Sequence, residues 1–292
     1  MIEVFDTVAG LREALRARRA GGREVAFVPT MGALHAGHLS LMAQGRARAE
    51  VLVASVFVNP TQFNNAEDLK TYPRDLERDV ALCAEAGVDV VFAPSAAQMY
   101  PGGAMTKVTV STMTDGLCGA TRPGHFEGVT TIVAKLFNVV QPDVAIFGQK
   151  DYQQLAVIRQ MVRDLDFPVE ILAGATVREP DGLAMSSRNT RLGAAARAQA
   201  PSIWRALQAA AQAVDSGERD VGALVAVARG IVEGASMARI DYVEVVHPRT
   251  LEPMSRVGGE GVVMALAVFF GDTRLIDNMH LGPKPGAQGG GA

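Results

Sequence analysis

Short apolar runs alternate with amphipathic segments along the chain from Val25 to Val177, and this alternation most restricts the possible fold. The apolar runs have the length of buried strands, and the segments between them have helical periodicity. Elements that alternate at this spacing form βαβ units, which build a parallel sheet covered by helices on both faces. We therefore expect an α/β fold with a Rossmann-like, doubly wound parallel sheet. The predicted strands are Val25–Val28, Val51–Val58, Val88–Phe92, Asp143–Phe147 and Val169–Val177, with a short β-prone run at Val108–Val110, and the predicted helices are Leu11–Ala20, a segment after His38, Asp75–Ala86, Val129–Val140 and Tyr152–Leu165.

The segment Val25–Leu41 places two histidines on the turn between a predicted strand and a predicted helix. Pro29 cannot donate a ladder hydrogen bond, so the strand should end there, and two glycines then permit a turn. His35 and His38 are three residues apart, a spacing that puts both rings on one side near a helix start. Free backbone N–H groups at a helix start attract phosphate, and nearby imidazoles can stabilise charge on a transferred phosphoryl group. The turn therefore predicts phosphate binding, with metal ligation or two ordinary surface histidines as the alternatives.

Two more loops follow predicted strands of the same sheet. Asn59–Phe63 contains Gln62, which can donate and accept hydrogen bonds, and Gly148–Asp151 opens the helix that follows. Because doubly wound sheets bind ligands at the carboxyl ends of their strands, we expect both loops to meet the histidine turn in one crevice. There is no G-x-G-x-x-G, which argues against a standard dinucleotide-binding fold. The segment Arg122–Val129 adds an arginine and a histidine, and either carboxylate binding or a structured surface loop would explain it.

Two loops carry groups suited to a triphosphate. Gly148 permits close backbone approach and Lys150 supplies a cation, whereas Asp151 could act on a ligand or simply cap a helix. The run Met185–Asn189 offers two hydroxyls and a guanidinium, which suit the β- and γ-phosphates of ATP. Taken alone, this run is also an ordinary loop sequence.

The sequence changes character after Val177, which predicts a second domain. Two alanine-rich helices and two strand-like runs follow, at Ala194–Val214, Val221–Glu233, Ile240–Val246 and Val262–Phe270. We expect a Rossmann-like domain over residues 1–177 and a smaller C-terminal α+β domain over residues 178–281. Residues 282–292 are rich in glycine and proline without an apolar anchor, so we expect a disordered tail there.

Composition and charge exclude several classes of protein. A net charge of −3 gives no electrostatic basis for binding nucleic acid. The sequence has no apolar run of about 18 residues and no signal-peptide pattern, so we expect no membrane span and a cytoplasmic location. Its two cysteines, Cys83 and Cys118, have the spacing of neither a disulfide framework nor a zinc site. We expect no metal ion held by protein side chains alone.

Together these motifs resemble the pantoate–β-alanine ligase family, also called the pantothenate synthetase family. The His-x-Gly-His motif alone indicates only the wider nucleotidyltransferase superfamily. The segments that narrow the resemblance are Asn59–Phe63, Tyr72–Arg74, Arg122–Val129, Phe147–Gln154, Met185–Asn189 and Arg274–Asn278. The resemblance covers nearly the whole chain, and Gln149 stands where glutamate is common in relatives.

The resemblance implies an ATP-dependent ligation in two steps. The carboxylate of pantoate would attack the α-phosphorus of ATP, giving pantoyl adenylate and pyrophosphate. The amine of β-alanine would then attack the acyl carbon, giving pantothenate and AMP. The resemblance also implies Mg²⁺, a homodimer and a mobile second domain.

The same resemblance assigns residues to the site. The resemblance implies His38 as proton donor. The groups available to stabilise the negative charge that develops in the first step are His35, His38, Lys150 and Arg188. The implied ATP-binding residues are Met31, Gly32, Ala33, Leu34, His35, Ala36, Gly37, His38, Gly148, Gln149, Lys150, Asp151, Val177, Met185, Ser186, Ser187 and Arg188. Gln62 and Gln154 would hold pantoate, and Gln62 would also face β-alanine. Since a carboxylate nucleophile is already ionised, we expect His38 to act first as an electrostatic and hydrogen-bonding group.

Two other functions compete with this one. A nucleotidylyltransferase on the same scaffold would release pyrophosphate and form a stable dinucleotide-like product, without needing β-alanine to yield AMP. A catalytically idle nucleotide-binding module is the other, although such a module need not retain His38, Lys150, Ser187 and Arg188 together.

Overall fold

The computed structural model describes residues 2–283 and confirms the expected fold class. Six strands form a parallel sheet in the order β1-β4-β3-β2-β5-β6, and three form an antiparallel sheet in the order β7-β8-β9. The strands are β1 Glu3–Phe5, β2 Val25–Thr30, β3 Val51–Val56, β4 Val90–Phe92, β5 Val144–Gly148, β6 Glu170–Gly174, β7 Ala238–Val246, β8 Val262–Phe270 and β9 Thr273–Leu281. The helices are α1 Val8–Arg18, α2 Ala36–Arg48, α3 Ala66–Lys70, α4 Leu76–Glu85, α5 Ala96–Met99, α6 Leu117–Thr121, α7 His125–Val140, α8 Tyr152–Asp164, α9 Ala194–Gln199, α10 Ser202–Asp215 and α11 Val221–Glu233.

The two central strands explain why the sheet forms where the apolar runs lie. Strands β2 and β3 pair in parallel from Val25 opposite Val51 to Thr30 opposite Val56. Nearly every residue of both strands is buried, as expected for strands covered by helices on both faces. A core of apolar side chains from β2, β3, β5, α2 and α4 lies on one face of the sheet. The carboxyl ends of adjacent parallel strands therefore share one edge, and β2 there leads into the histidine turn.

The antiparallel sheet differs from the sequence expectation by one strand. Strands β7 and β8 were expected, but β9 also pairs along β8 from Thr273 to Leu281. Polar side chains in β9, among them a buried Asp277, hide its β periodicity. Apolar side chains of α10 and α11 pack with this sheet in one core.

The described chain falls into two compact units. The first takes in the chain up to Asp115, together with Gly119–Gln149 and Val157–Thr176. The second takes in Gly116–Cys118, Lys150–Ala156 and the described chain from Val177 onward. The domain boundary near Val177 stays a prediction.

Four local predictions need correction. Strand β2 does not end at Pro29: its pairing with β3 runs on to Thr30 opposite Val56, because a proline lacks only its own N–H group and its neighbours still pair. The expected helix Ala194–Val214 is two helices, because Pro201 lacks an N–H group and its ring is incompatible with a continuous helix. Helix α7 begins at His125, four residues earlier than expected. Val108 forms no strand within the described chain: its N–H donates to Thr131 Oγ1 and its carbonyl accepts from a threonine hydroxyl of α7.

Two predictions concern the membrane and the C-terminus. Between residues 2 and 283, no helix has both the length and the apolar character needed to cross a bilayer. Apart from Gly282 and Pro283, the expected disordered tail lies outside the described residues.

Gly128 in α7 is the point at which this helix meets the loop after β3. A Cβ atom there would lie 2.6 Å from the carbonyl oxygen of Thr61 and 2.7 Å from the backbone nitrogen of Gln62. Since backbone atoms cannot move cheaply, we expect Gly128→Ala to lower the free energy of unfolding by about 1–3 kcal/mol despite the better helix propensity of alanine. Denaturant unfolding measures this change.

Gly230 in α11 provides the matched control. A Cβ atom at this position would meet no heavy atom within 4 Å. Gly230→Ala should therefore raise the free energy of unfolding by about 0.5–1 kcal/mol, as expected from helix propensity. If the Gly128→Ala variant were as stable as Gly230→Ala, the close approach of α7 to the backbone of Thr61 and Gln62 would not be needed for stability.

Candidate active site

The turn between β2 and α2 is held by hydrogen bonds from its own backbone. Gly32 and Ala33 have left-handed backbone conformations, with φ of 78° and 51°. The N–H of Gly32 donates to Thr30 Oγ1, 3.1 Å away. The N–H groups of Ala33 and Leu34 donate to the two carboxylate oxygens of Asp79, at 2.9 and 2.8 Å. These three N–H groups, which precede the helix, are therefore engaged inside the protein.

His35 and His38 cap the start of α2 reciprocally. His35 is the N-cap residue, and its Nδ1 accepts a hydrogen bond from the N–H of Gly37 at 3.1 Å. The Nδ1 of His38 accepts from the N–H of His35 at 3.3 Å. The ring centroids are 4.2 Å apart. Because each Nδ1 is an acceptor, each neutral ring carries its proton on Nε2. The pair is thus a set of two uncharged N–H donors.

The loop after β3 fixes the orientation of the Gln62 amide. Asn59, which is buried, donates from Nδ2 to Gln62 Oε1 at 3.0 Å and to the carbonyl of Gly128 at 3.1 Å. The Oδ1 of Asn59 accepts from the hydroxyls of Tyr100 and Thr61, at 2.7 and 3.0 Å. Burial raises the pKa of Tyr100, so its hydroxyl keeps the proton that it donates. With its oxygen occupied, Gln62 offers the amide nitrogen, which lies 3.0 Å from the sulfur of Met31.

Arg122 and His125 hold the backbone of Gln62. Arg122 Nη2 and His125 Nδ1 contact the Gln62 carbonyl oxygen at 3.2 and 2.8 Å. Arg122 Nη1 lies 3.1 Å from His125 Nε2. A guanidinium only donates and a carbonyl only accepts, so His125 carries its proton on Nδ1 and accepts at Nε2. This segment therefore supports the predicted substrate residue.

In the second unit, β9 supports the loop that carries Lys150. Asn278 Nδ2 donates to the carbonyl oxygen of Lys150 at 2.9 Å. The ammonium of Lys150 lies 3.8 Å from a carboxylate oxygen of Asp151 and retains 19% of its side-chain exposure. The backbone of Lys150 is therefore fixed, and its side chain is only partly exposed. Gln154 lies half-buried on α8.

The segment from Val177 to Arg188 forms a short hairpin and a turn in the second unit. The N–H of Met185 donates to the carbonyl of Val177 at 2.9 Å, and Ser186 Oγ accepts from the N–H of Arg188 at 3.2 Å. At its base, Arg178 pairs with buried Asp277 through two contacts of 2.5 and 3.0 Å. This ion pair between Arg178 and Asp277 holds one end of the hairpin against β9.

Sequence reasoning missed several residues that hold these groups in place. Asp79 was placed on a predicted helix but given no role, and Tyr100 and Asp277 were not singled out. A signal for Asp79 exists in the sequence: it is an acid one helical turn before Cys83, on the buried face of α4. The partners of Tyr100 and Asp277 are 41 and 99 residues away, so no local pattern reveals them.

Residues 2–283 contain no group of three or more histidine, cysteine or acidic side chains able to hold a metal ion.

Comparisons with known proteins point to one family. The family model described as pantoate-beta-alanine ligase matches residues 3–280. A pantothenate synthetase of Pelobacter propionicus is 52% identical over 281 residues, covering 95% of this chain and 99% of that protein. The crystal structure of a pantothenate synthetase from Thermus thermophilus matches with a TM-score of 0.91 and 48% identity, covering 97% of this chain and 100% of the other. A pantoate-beta-alanine ligase from Francisella tularensis, complexed with beta-gamma ATP and beta-alanine, matches with a TM-score of 0.79 and 32% identity, covering 96% of this chain and 98% of the other.

The histidine tautomers provide a test that needs no substrate. At about pH 8, where an unperturbed histidine is neutral, we expect His35 and His38 to be protonated on Nε2 and His125 on Nδ1. The reason is the backbone or guanidinium partner of each ring described above. Long-range ¹⁵N–¹H NMR spectra distinguish the two tautomers, and single histidine-to-glutamine variants assign the signals.

His280 and His247 are internal controls for the same spectra. His280 Nε2 lies 3.0 Å from the carbonyl oxygen of Glu260, and His247 Nδ1 accepts from the N–H of Thr250 at 3.2 Å. Both should therefore be protonated on Nε2. A spectrum in which His125 matches the other four rings would contradict the network around Gln62.

Proposed function

The chain belongs to the pantoate–β-alanine ligase family, and we propose that it joins these two substrates through a pantoyl adenylate. Its enzymatic activity is the ATP-dependent ligation of pantoate and β-alanine to pantothenate. In the proposed route the first step releases pyrophosphate and the second releases AMP. The observation that carries this proposal is the pair of uncharged Nε2–H donors, His35 and His38, at the carboxyl end of β2.

ATP binding is proposed for the residues that the family resemblance implies. They are Met31–His38, Gly148, Gln149, Lys150, Asp151, Val177, Met185, Ser186, Ser187 and Arg188. The cations of Lys150 and Arg188 suit the phosphates, and the fixed backbone of Lys150 supports this assignment.

The histidine pair suits the first chemical step. Attack on the α-phosphorus develops negative charge on phosphate oxygens and on the leaving pyrophosphate. Donors that are already oriented stabilise such charge without reorganising during the reaction. Because their Nδ1 atoms are occupied by backbone N–H groups, His35 and His38 can donate from Nε2 without first gaining a proton. The carboxylate of pantoate is ionised at neutral pH and needs no general base.

Pantoate binding is proposed for Gln62 and Gln154. The Gln62 amide is oriented by Asn59 so that it offers N–H donors, which suit the oxygens of pantoate. Gln62 would also face β-alanine in the second step. In that step the neutral amine attacks the acyl carbon, the bond to AMP breaks, AMP leaves as a phosphate anion, and the excess proton of the amine passes to solvent. His38 is proposed to donate a hydrogen bond from its neutral Nε2–H to the departing phosphate oxygen and to keep its proton.

Mg²⁺ is proposed to enter with ATP. Mg²⁺ at nucleotide sites is usually held by phosphate oxygens and one or two carboxylates, so ATP would supply most of its ligands. Asp151, whose side chain is 48% exposed, is the carboxylate proposed to complete its ligands. The ion would neutralise phosphate charge.

We also propose a cytoplasmic homodimer. The homodimer rests on the family resemblance. Cys83 and Cys118 are both buried thiols, which is compatible with a reducing compartment.

Isotope exchange separates this mechanism from a nucleotidylyltransferase. With pantoate and Mg²⁺ present and β-alanine absent, labelled pyrophosphate should exchange into ATP, because the first half-reaction is reversible. AMP should accumulate only after β-alanine is added. Lys150→Ala should reduce the exchange rate by roughly 10² or more, the scale for losing one charge-stabilising group.

The control for this variant is Lys107→Ala, which removes an exposed lysine paired with Glu127. It should leave the exchange rate unchanged. Exchange that does not need pantoate would indicate another acceptor, and pantothenate formation without any exchange would contradict the adenylate.

A second kinetic test concerns the substrate amide. Gln62→Ala should raise the Michaelis constant for pantoate at least about tenfold and that for ATP much less, since it removes oriented donors from the pantoate subsite. Steady-state kinetics with each substrate varied in turn measures this difference. Gln212→Ala on the exposed face of α10 is the control. A rise confined to the Michaelis constant for ATP would show that the two subsites are assigned wrongly.

A further inference from the structure

Asp79 is a buried acid whose carboxylate is used entirely on the backbone of the histidine turn. It lies on α4 and is 1% exposed. Its Oδ2 and Oδ1 accept from the N–H groups of Ala33 and Leu34, at 2.9 and 2.8 Å. The described chain shows no ion pair to this acid. A buried charge without a cation is costly unless hydrogen bonds satisfy it, so these two bonds are its principal support.

The neighbouring thiol of Cys83 does not change the charge around Asp79. Cys83 lies one helical turn further along α4 and is also buried. Burial and the nearby Asp79 carboxylate raise the pKa of Cys83 to about 12. The thiol therefore stays uncharged at neutral pH and adds no second charge beside the carboxylate.

The backbone of the turn needs such an anchor. Ala33 has a φ of 51°, a left-handed conformation that alanine rarely adopts. Gly32 is also left-handed, and a Cβ atom there would lie 2.7 Å from Asp79 Oδ2. The turn is thus strained at Ala33, and its backbone packs closely on the carboxylate that accepts its hydrogen bonds. Strain of this kind persists only where surrounding structure imposes it.

We propose that Asp79 is a positioning residue for ATP, acting through the backbone that precedes His35. By fixing the peptides of Ala33 and Leu34, it sets the direction of the His35 N–H, which in turn holds the ring of His38. The Nε2–H donor of His38 then keeps the orientation that the phosphates need. The inference rests on the proposed role of the histidine pair and assigns Asp79 no contact with substrate.

A charge effect would give the opposite result to a positioning effect. If Asp79 acted on ATP through its charge, removing a negative charge would strengthen the binding of a polyanion. If it acts by positioning, the neutral isostere asparagine weakens binding, because one turn N–H then faces an amide NH₂ group and loses its acceptor. Asp79→Asn therefore separates the two explanations without changing side-chain size.

The experiment compares Asp79→Asn with Asp75→Asn in the complete enzyme. Asp75 caps the same helix by accepting from the N–H of Arg78 at 3.1 Å. We expect Asp79→Asn to lower kcat/KM for ATP by roughly 10- to 100-fold, with KM for β-alanine within about twofold of the parent. Because asparagine caps a helix about as well as aspartate, Asp75→Asn should leave both kinetic constants unchanged and keep the melting temperature close to that of the parent. Parental kcat and KM for ATP in Asp79→Asn would overturn the inference.

A rescue variant tests the strain directly and also serves if Asp79→Asn folds poorly. Glycine adopts positive φ without strain, so Ala33→Gly should restore part of the lost kcat/KM when combined with Asp79→Asn. A residue needed only for folding would change the melting temperature without this kinetic rescue. If the combined variant recovers stability but no ATP efficiency, positioning through the turn is refuted.

A binding measurement keeps this inference separate from the proposed reaction. Calorimetric titration with a non-hydrolysable ATP analogue and Mg²⁺ should show affinity lowered at least about tenfold in Asp79→Asn. Parental or tighter binding would refute positioning, even if the parent enzyme makes pantothenate. If the parent makes no pantothenate, the proposed function fails, while the analogue titration still decides the role of Asp79.

Discussion

One buried carboxylate interaction supports the conformation of the histidine turn. Asp79 accepts the two N–H groups that a left-handed turn leaves unpaired, and the turn in turn satisfies the charge of Asp79. Neither partner is stable alone, because a buried charge and a strained backbone both cost free energy. Helix α4 and the β2–α2 turn are therefore coupled. The packing of α4 on the sheet becomes part of what orients His35 and His38.

Directional hydrogen bonds convert ambiguous polar groups into defined donors in the first unit. An imidazole or a primary amide can donate or accept, and composition alone does not specify which. Backbone N–H groups occupy Nδ1 of His35 and His38, and Asn59 occupies the oxygen of Gln62. The Arg122–His125 pair produces the opposite tautomer by the same rule. Each proposed ligand group is thus oriented by a neighbour that need not contact the ligand.

Local sequence patterns predicted strands and helices well where a strand is buried on both faces or where a short motif marks a turn. The apolar runs that became β2, β3 and β5 are buried over all but one residue each, so their composition reveals them. Strand β9 was missed because Asp277 is paired with distant Arg178, and such a partner lets an acid occupy a buried strand position. The prediction of one uninterrupted helix over Ala194–Val214 was wrong because the alanine-rich sequence on both sides masked the effect of Pro201.

The sequence by itself determined the alternation of strands and helices, the histidine turn, the loops that carry Gln62 and Lys150, and the family. These features depend on local periodicity and on short motifs, both of which are encoded by neighbouring residues. Only the tertiary structure decided which polar atom each group presents, and that Asp79 holds the turn. The reason is physical: a tautomer, an amide orientation or a left-handed backbone is selected by its hydrogen-bond partner, and Ala33 and Asp79 are 46 residues apart in the chain.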